Sequence, residues 1–362
     1  MKFRRSDFDV ANTVQVTDPA SVGEAVEKIF LELFPSGRLD IIQRGLADIT
    51  RLYRGEWPGF NQCDTGYHDL QHIMDVTLAS ARLMEGYERS RRGGDRITEE
   101  LFRFGILVAM FHDSGYIRRI NDRHHKNGAE YTQVHVARSG RMLETYLPMV
   151  GMGHLAANAA QVVHFTGYEV PVERIRVSDP VFRTIGNIVA SADILAQMAD
   201  RCYLEKCHDR LYPEFVLGGL ATQRDADGKE RVIFSSSQDL VIKTPAFYRG
   251  AKKRLEETLG GAYRYAERFF GGQNLYIEEL EKNIRFAEFI IANDGDIGLL
   301  QRTPPQTPGS NRTSPEELDR GQRIEDRRQR TQDRRQDLSS PIPETGDRRK
   351  HSADRRQMVV GE

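Results

Sequence analysis

Nine of the ten histidines in this chain precede position 209, and several stand inside apolar stripes, where a histidine needs a reason to be. The stretch LVAMFHDSGY, residues 107–116, runs the most apolar segment of the chain straight into His112 and Asp113. His112 follows Val108 by four residues and continues the stripe Leu101, Phe104, Gly105, Val108, so it points where core residues point. Asp193 does likewise: Ile185, Ile188, Val189 and Ala192 lead to it, and Leu195 and Ala196 follow. His72 shares a face with Val76, Ala79 and Leu83, and helical spacing sets His68 one turn earlier on that face. A buried carboxylate without a partner is costly. Asp193 must therefore be protonated, paired with a cation or bound to a metal. One inward histidine alone reads as a hydrogen-bonded core residue. Three helices each aiming a His or Asp inward point instead to a metal centre. Imidazole mixed with carboxylate suits Fe, Mn, Zn or Co, and oxygen-rich positions suit Mg.

Helices must carry such a set. Most of residues 19–300 has helical spacing. Asp18-Pro19 predicts a cap and first position for AVEKIFLELF. GRLDIIQRGLADITRLYRG follows, then a Gly/Pro/Asn-rich loop, GEWPGFNQCDTG. YHDLQHIMDVTLASARLMEG opens the next helix, and Thr98-Glu99-Glu100 starts the one that ends in His-Asp, with acids suited to its dipole. Further helices are expected at GAEYTQVHVARSGRMLETYL, HLAANAAQVVHF, PVFRTIGNIVASADILAQMADRCYLEKC, TPAFYRGAKKRLEETLGGAYRYAERFF and LYIEELEKNIRFAEFIIAND. Only RDADGKERVIFSSS suggests a short hairpin or extended loop. The expected class is all-α, and about 280 residues suffice for one sizeable core.

Composition bounds the rest. Hydrophobic residues make up 39% of the chain, low enough that part of it is expected outside the core. Residues 1–18 are expected to be flexible. Residues 301–362 carry RTPPQTPGSNRTSPEE and then DRRQ at Asp326, Asp333 and Asp354, with DRRK at Asp347. Multiples of seven separate these repeats, but no apolar seam accompanies them, so a coiled coil is excluded. A disordered Arg-rich tail is the expectation, with RNA or an acidic partner as its functional alternative. The net charge of −1 gives no global pull toward nucleic acid or anionic membrane. Cys63, Cys202 and Cys207 fit neither a disulfide framework nor a four-cysteine zinc site and are expected as free thiols. MKFRRSDFDVANTVQV lacks a signal-peptide core, and no apolar run approaches the length of a membrane span. A cytoplasmic protein is expected.

YHDLQHIMDV, residues 67–76, resembles the YHNxxHxxDV signature of class I cyclic nucleotide phosphodiesterases. FHDSGY resembles the His-Asp doublet of the HD superfamily of metal-dependent phosphohydrolases, and SADILAQM resembles the helix that supplies that family's last aspartate ligand. Order and rough spacing agree over about residues 60–210. The resemblance implies an HD-type helical bundle around a metal site. It makes His72, His112, Asp113 and Asp193 the ligands of a first metal, with Asp113 able to bridge to a second. It makes His68 the general acid that protonates the leaving oxygen. Asp75, three residues after His72, would orient a ligand ring or else form an ordinary helix-face salt bridge. Two divalent ions are implied, Mn, Fe, Zn, Co or Mg, and a phosphodiester or nucleotide as substrate, a cyclic nucleotide among the possibilities.

The pattern also departs from that family. Tyr116 stands four residues after His112, where the phosphodiesterases carry another His. Gln273 is the one candidate for the glutamine that recognises their purine. His135 and His164 resemble later histidines of HD proteins that hydrolyse cyclic di-GMP, which makes them second-metal candidates; core histidines or substrate contacts are the alternatives. His124 and His125, with Arg118, Arg119 and Lys126, form a polar loop suited to solvent or to phosphate steering. Glu130 could bond a metal-held water or serve a helix N-terminus. A metal-dependent phosphohydrolase is the leading expectation. A non-catalytic metal- or nucleotide-binding sensor is the alternative, and a diiron oxygenase is a third.

Overall fold

The computed structural model describes residues 4–224 and 229–306. The fold is all-α, as expected. Four early helices are α1 (Pro19–Leu33), α2 (Asp40–Tyr53), α3 (Leu70–Ser90) and α4 (Glu99–Phe111). The middle of the chain holds α5 (His135–Met149), α6 (Ala156–Val162) and α7 (Pro180–Met198). Short helices α8 (Tyr203–Lys206) and α9 (Tyr212–Leu217) flank a π-turn at Cys207–Leu211. Helices α10 (Ser237–Lys253), α11 (Tyr265–Phe269) and α12 (Leu275–Ala292) close the body. The expected hairpin is present as Thr222–Arg224 antiparallel to Glu230–Val232.

Helix α3 is the axis of the core. Residues 71–74 and 76–86 are all buried, because α1, α4, α7 and α11 pack around it. A helix covered on all sides needs close approaches. Gly86 provides one: a Cβ there would meet the Tyr265 carbonyl oxygen at 2.0 Å. Caps follow the sequence. The Asp18 side chain accepts from Ala20 N and Ser21 N with Pro19 at the first helical position, and Thr98 caps α4 at Leu101 N. Cys63, Cys202 and Cys207 are free and buried. No helix among the described residues is long and apolar enough to cross a membrane.

Both ends of the body differ from expectation. Residues 4–18, expected to be flexible, are docked. Asp9 is buried and accepts from Thr13 N (2.7 Å), Val14 N (2.8 Å) and the Arg82 guanidinium (2.5 Å), while Arg4 donates to Ala199 O (2.7 Å). The physical reason is Arg82: an inward charge on α3 needs a counter-charge, and the N-terminal segment supplies it. At the other end, residues 301–306 belong to the body. Arg302 donates to the Arg201 carbonyl and, through its backbone N–H, to Glu205 Oε1 (3.3 Å), and Arg210 donates to Pro305 O (2.5 Å). The DRRQ repeats lie outside the described residues.

Candidate metal centre

The His-Asp doublet forms where α4 stops. His112 is the C-cap of α4, and Asp113 begins the turn into a single 3-10 turn at Ser114–Tyr116. Gly115 permits this turn to lie against α5: a Cβ there would meet the His135 carbonyl oxygen at 1.9 Å. Ser139 Oγ accepts from Gly115 N (2.8 Å), and Arg138 Nε donates to Gly115 O (2.6 Å), so α5 grips the doublet's exit.

Three distant segments converge here. His72 comes from the first turn of α3 and Asp193 from the second half of α7. His72 Nε2 lies 3.3 Å from Asp113 Oδ2 and 3.3 Å from Asp193 Oδ1. His112 Nε2 lies 3.1 Å from Asp113 Oδ2 and 3.8 Å from Asp193 Oδ1. Ligands each about 2.1 Å from a common ion stand roughly 3.0–3.5 Å apart, so this spacing suits a shared cation. His72, His112 and Asp113 form a buried group that could hold a metal ion.

The state of His112 tests the fit. Its Nδ1 is 2.8 Å from Ala109 O, and a carbonyl only accepts, so Nδ1 carries the proton. In the neutral ring Nε2 is then a bare lone pair. That atom is buried and has no hydrogen-bond partner among the described residues, although Asp113 is only 3.1 Å away. A buried polar atom without a partner is costly, and a cation set between imidazole and carboxylate satisfies it. The residues present fit a divalent ion.

Electrostatics agree. Burial pushes His72 toward its neutral form, but hydrogen bonds to Asp113 and Asp193 outweigh it and raise its pKa to about 10. His112 is raised in the same way, against burial, by Asp113. Asp113 is held well below the carboxylate range: burial opposes this, and His112 and His72 overcome it. Asp193 is lowered against burial by His72 and His112. The cluster is poised to hold positive charge, as protons or as metal.

Asp113 has a second oxygen to offer. Its Oδ1 lies 3.4 Å from His135 Nε2, and His135 Nδ1 is tied to Thr132 O (2.6 Å). His135 is again a lone pair facing a carboxylate, and burial lowers its pKa. His164 is not brought to Asp113. It sits in the 3-10 turn Val163–Phe165, and its Nδ1 bonds Glu169 Oε1 at 2.8 Å. Of the two second-metal candidates, only His135 approaches the doublet.

His68 lies outside α3. Asp69 caps the helix by accepting from His72 N (3.0 Å), which ends the helix at Leu70 and leaves His68 on the preceding bend. Its ring centre is nonetheless 5.7 Å from that of His72. Glu214, which the sequence did not mark, holds it. His68 Nδ1 is 2.5 Å from Glu214 Oε2, and the other carboxylate oxygen accepts from the backbone N–H groups of Tyr67 and His68. Burial works against charge on His68, and Glu214 outweighs it, so its pKa is raised. Tyr116 packs face-on against both His68 and His135, at 4.5 and 4.4 Å between ring centres.

Asp75 makes no hydrogen bond to His72. Its surroundings are Asp200, Lys206, Arg4 and His72, and burial followed by the Asp200 charge raises its pKa to about 7. It acts on His72 through its charge and not through a hydrogen bond. Glu130 caps the turn Gly128–Tyr131, accepting from Asn127 N, and does not reach the centre. His124 and His125 are organised by Asp122, and Arg118 pairs with Asp64 (2.7 Å). Gln273 is exposed and does not line the cavity at the centre.

A cavity of about 580 Å³ opens onto the centre. His68, His72, Asp113, His135 and Asp193 form its polar end, and Phe215, Leu220 and Phe247 form an apolar wall. Glu169 and Gln197 also line it and were not anticipated. No model of a known protein family matches this chain, and no curated protein or solved structure matches it.

Proposed function

We propose that the protein is a metal-dependent phosphohydrolase acting on a phosphodiester or nucleotide. The observation that carries this reading is the buried Nε2 of His112, without a hydrogen-bond partner among the described residues and set among Asp113, Asp193 and His72, beside a second imidazole that is itself fixed by a carboxylate. His72, His112, Asp113 and Asp193 would hold one divalent ion, and Asp113 Oδ1 with His135 would contribute to a second. Fe, Mn, Zn, Co and Mg are all compatible with these donors. Bound there, such ions supply hydroxide at neutral pH and neutralise phosphoryl charge.

The chain's own residues do the remaining work. Glu214 takes Nδ1 of His68 and favours the protonated ring, which leaves Nε2–H as the proton that the ring can offer to the cavity it lines. Hydrolysis of a phosphate ester needs a proton on the departing oxygen, and an imidazolium near neutral pKa is suited to give it. Tyr116 keeps that ring from rotating by stacking on it. Phe215, Leu220 and Phe247 offer an apolar surface to the rest of the substrate, in keeping with a cavity large enough for a nucleotide. The reading agrees with the resemblance to HD phosphohydrolases.

The test is metal analysis of the purified full chain, followed by a hydrolysis screen over cyclic mononucleotides, cyclic dinucleotides and nucleotides. Asp113→Ala is expected to lose both metal and turnover. His68→Ala is expected to keep its metal and lose roughly 10²–10⁴ in rate. A chain that binds no divalent ion, or turns over equally well without His68, would overturn the reading.

A further inference from the structure

A second cavity lies on the other side of the His-Asp turn. It encloses about 420 Å³, and its walls include Trp57, Phe60, Tyr146, Arg119, Arg138 and Arg141. Among the described residues, no aspartate or glutamate lines it. Elsewhere arginines pair readily with acids, as Arg82 does with Asp9 and Arg118 with Asp64. These three do not. Arg138 donates to Gly115 O (2.6 Å) and Ile117 O (3.0 Å) and lies over the Tyr131 ring. Arg119 lies over the Phe60 ring, 4.9 Å from its centre. The Arg141 side chain is exposed and has no ion pair among the described residues. Three arginines thus line one concavity without an ion pair among the described residues, although the Asp122 charge acts on Arg138.

We propose that this cavity binds a nucleoside monophosphate, as a site distinct from the metal centre. Guanidinium groups present forked donors that match phosphate oxygens, and they do so best where no carboxylate competes. The aromatic walls of Trp57, Phe60 and Tyr146 suit a planar base. The volume is in the range of small-ligand sites and exceeds what a bare phosphate fills. None of the metal-centre side chains lines it. Yet Ser114 and Gly115 do, one and two residues after Asp113, and α5 presents Arg138, Arg141 and Met142 to this cavity while carrying His135 at its first position. A ligand here therefore touches the two elements that set Asp113 and His135.

Trp57 is the single tryptophan of the chain and lines this cavity but not the one at the metal centre, so its fluorescence serves as the reporter. The experiment titrates the full chain with 5′-AMP, 5′-GMP, adenosine and inorganic phosphate while following tryptophan emission. A saturable change with the mononucleotides is expected, at lower concentration than with adenosine or phosphate. Arg141→Glu, an exposed position outside the catalytic machinery, is expected to weaken it roughly ten- to a hundredfold, with the helical circular dichroism unchanged. Emission that ignores the mononucleotides, a response unaltered in Arg141→Glu, or phosphate alone binding as tightly as the nucleotide would each overturn the assignment. The outcome does not depend on whether hydrolysis is found, because the reporter and the variant both lie outside the metal centre.

Discussion

Replacing Glu214 by glutamine isolates what a single negative charge does for His68. The substitution preserves shape, and the carbonyl of the new side-chain amide can still accept from the backbone N–H groups of Tyr67 and His68 that Glu214 Oε1 accepts from now. The amide NH₂ then faces His68 Nδ1, where Oε2 stood at 2.5 Å. A donor confronting Nδ1 forces that nitrogen to become the acceptor, so the ring must be neutral with its proton on Nε2. The electrostatic loss can be bounded. Opposite charges about 4 Å apart attract by about 4 kcal/mol at an effective dielectric of 20. A charge-assisted hydrogen bond is worth roughly 1.5–3 kcal/mol. Taking about 1.5–4 kcal/mol, the protonated fraction of His68 at fixed pH should fall roughly ten- to a thousandfold. Because the raised pKa keeps the acid protonated toward neutral pH, lowering it moves the pH at which kcat starts to decline toward acid. The assay is kcat against pH for wild type and Glu214→Gln, with metal content measured on the same samples. A variant that keeps its metal and shows the acidward shift supports the dyad. A profile of unchanged shape would refute the claim that Glu214 acts through the charge of His68.

Gly115→Ala should be far more damaging than a single methyl suggests, since its Cβ would collide with the His135 carbonyl oxygen; a loss of roughly 1–3 kcal/mol in denaturant stability, together with weakened metal retention, is expected. Truncation after residue 306 should leave the melting temperature unchanged, whereas truncation after 300 removes the Arg302 and Pro305 contacts and should cost roughly 1–3 kcal/mol, read as a drop of several degrees. Metal loading should release protons, because His72, with a pKa of about 10, is protonated until a cation replaces the proton; calorimetry in buffers of different ionisation enthalpy counts them, and no release would contradict the proposed ligand set. In chelated protein the same residue makes the stability linkage explicit. A folded pKa raised above the unfolded value of about 6.5 stabilises fully below that pH, and the contribution is lost as pH rises through about 10.

His112 and Asp193 were legible because a polar residue on a 3.6-residue apolar stripe announces an inward side chain, and both are indeed turned inward. That logic fails where the helix is interrupted. The Asp69 cap places His68 on a bend, so its approach to His72 is not the helical i, i+4 relation that the spacing suggested. His164 falls in a 3-10 turn, which aims it at Glu169 instead of Asp113. Glu214 stands just after the π-turn Cys207–Leu211, and the altered winding there erases the periodicity that would have marked it as buried. The docked N-terminal segment was invisible for another reason: its anchor, Arg82, is a charge inside α3 whose need for Asp9 is a tertiary fact.

Two accounts of the buried cluster compete. In one, His72 and His112 are simply imidazolium groups paired with Asp113 and Asp193, and the raised histidine pKa values with the depressed aspartate ones make that arrangement neutral and self-consistent. In the other, protons are placeholders for a cation. The distances leave room for the second. An ion pair that existed for its own sake would close its hydrogen bonds, since desolvated charges are tolerated only when geometry is good. Here His112 Nε2 stands 3.1 Å from Asp113 Oδ2 and makes no hydrogen bond among the described residues, while His72 Nε2 sits midway, at 3.3 Å from each of two carboxylates. Imidazole nitrogens and carboxylate oxygens at such spacing could hold a metal ion in place of those protons. The other oxygen of Asp113 repeats the pattern toward His135, so one carboxylate addresses imidazoles on both sides. A purely structural ion pair has no need of that second approach.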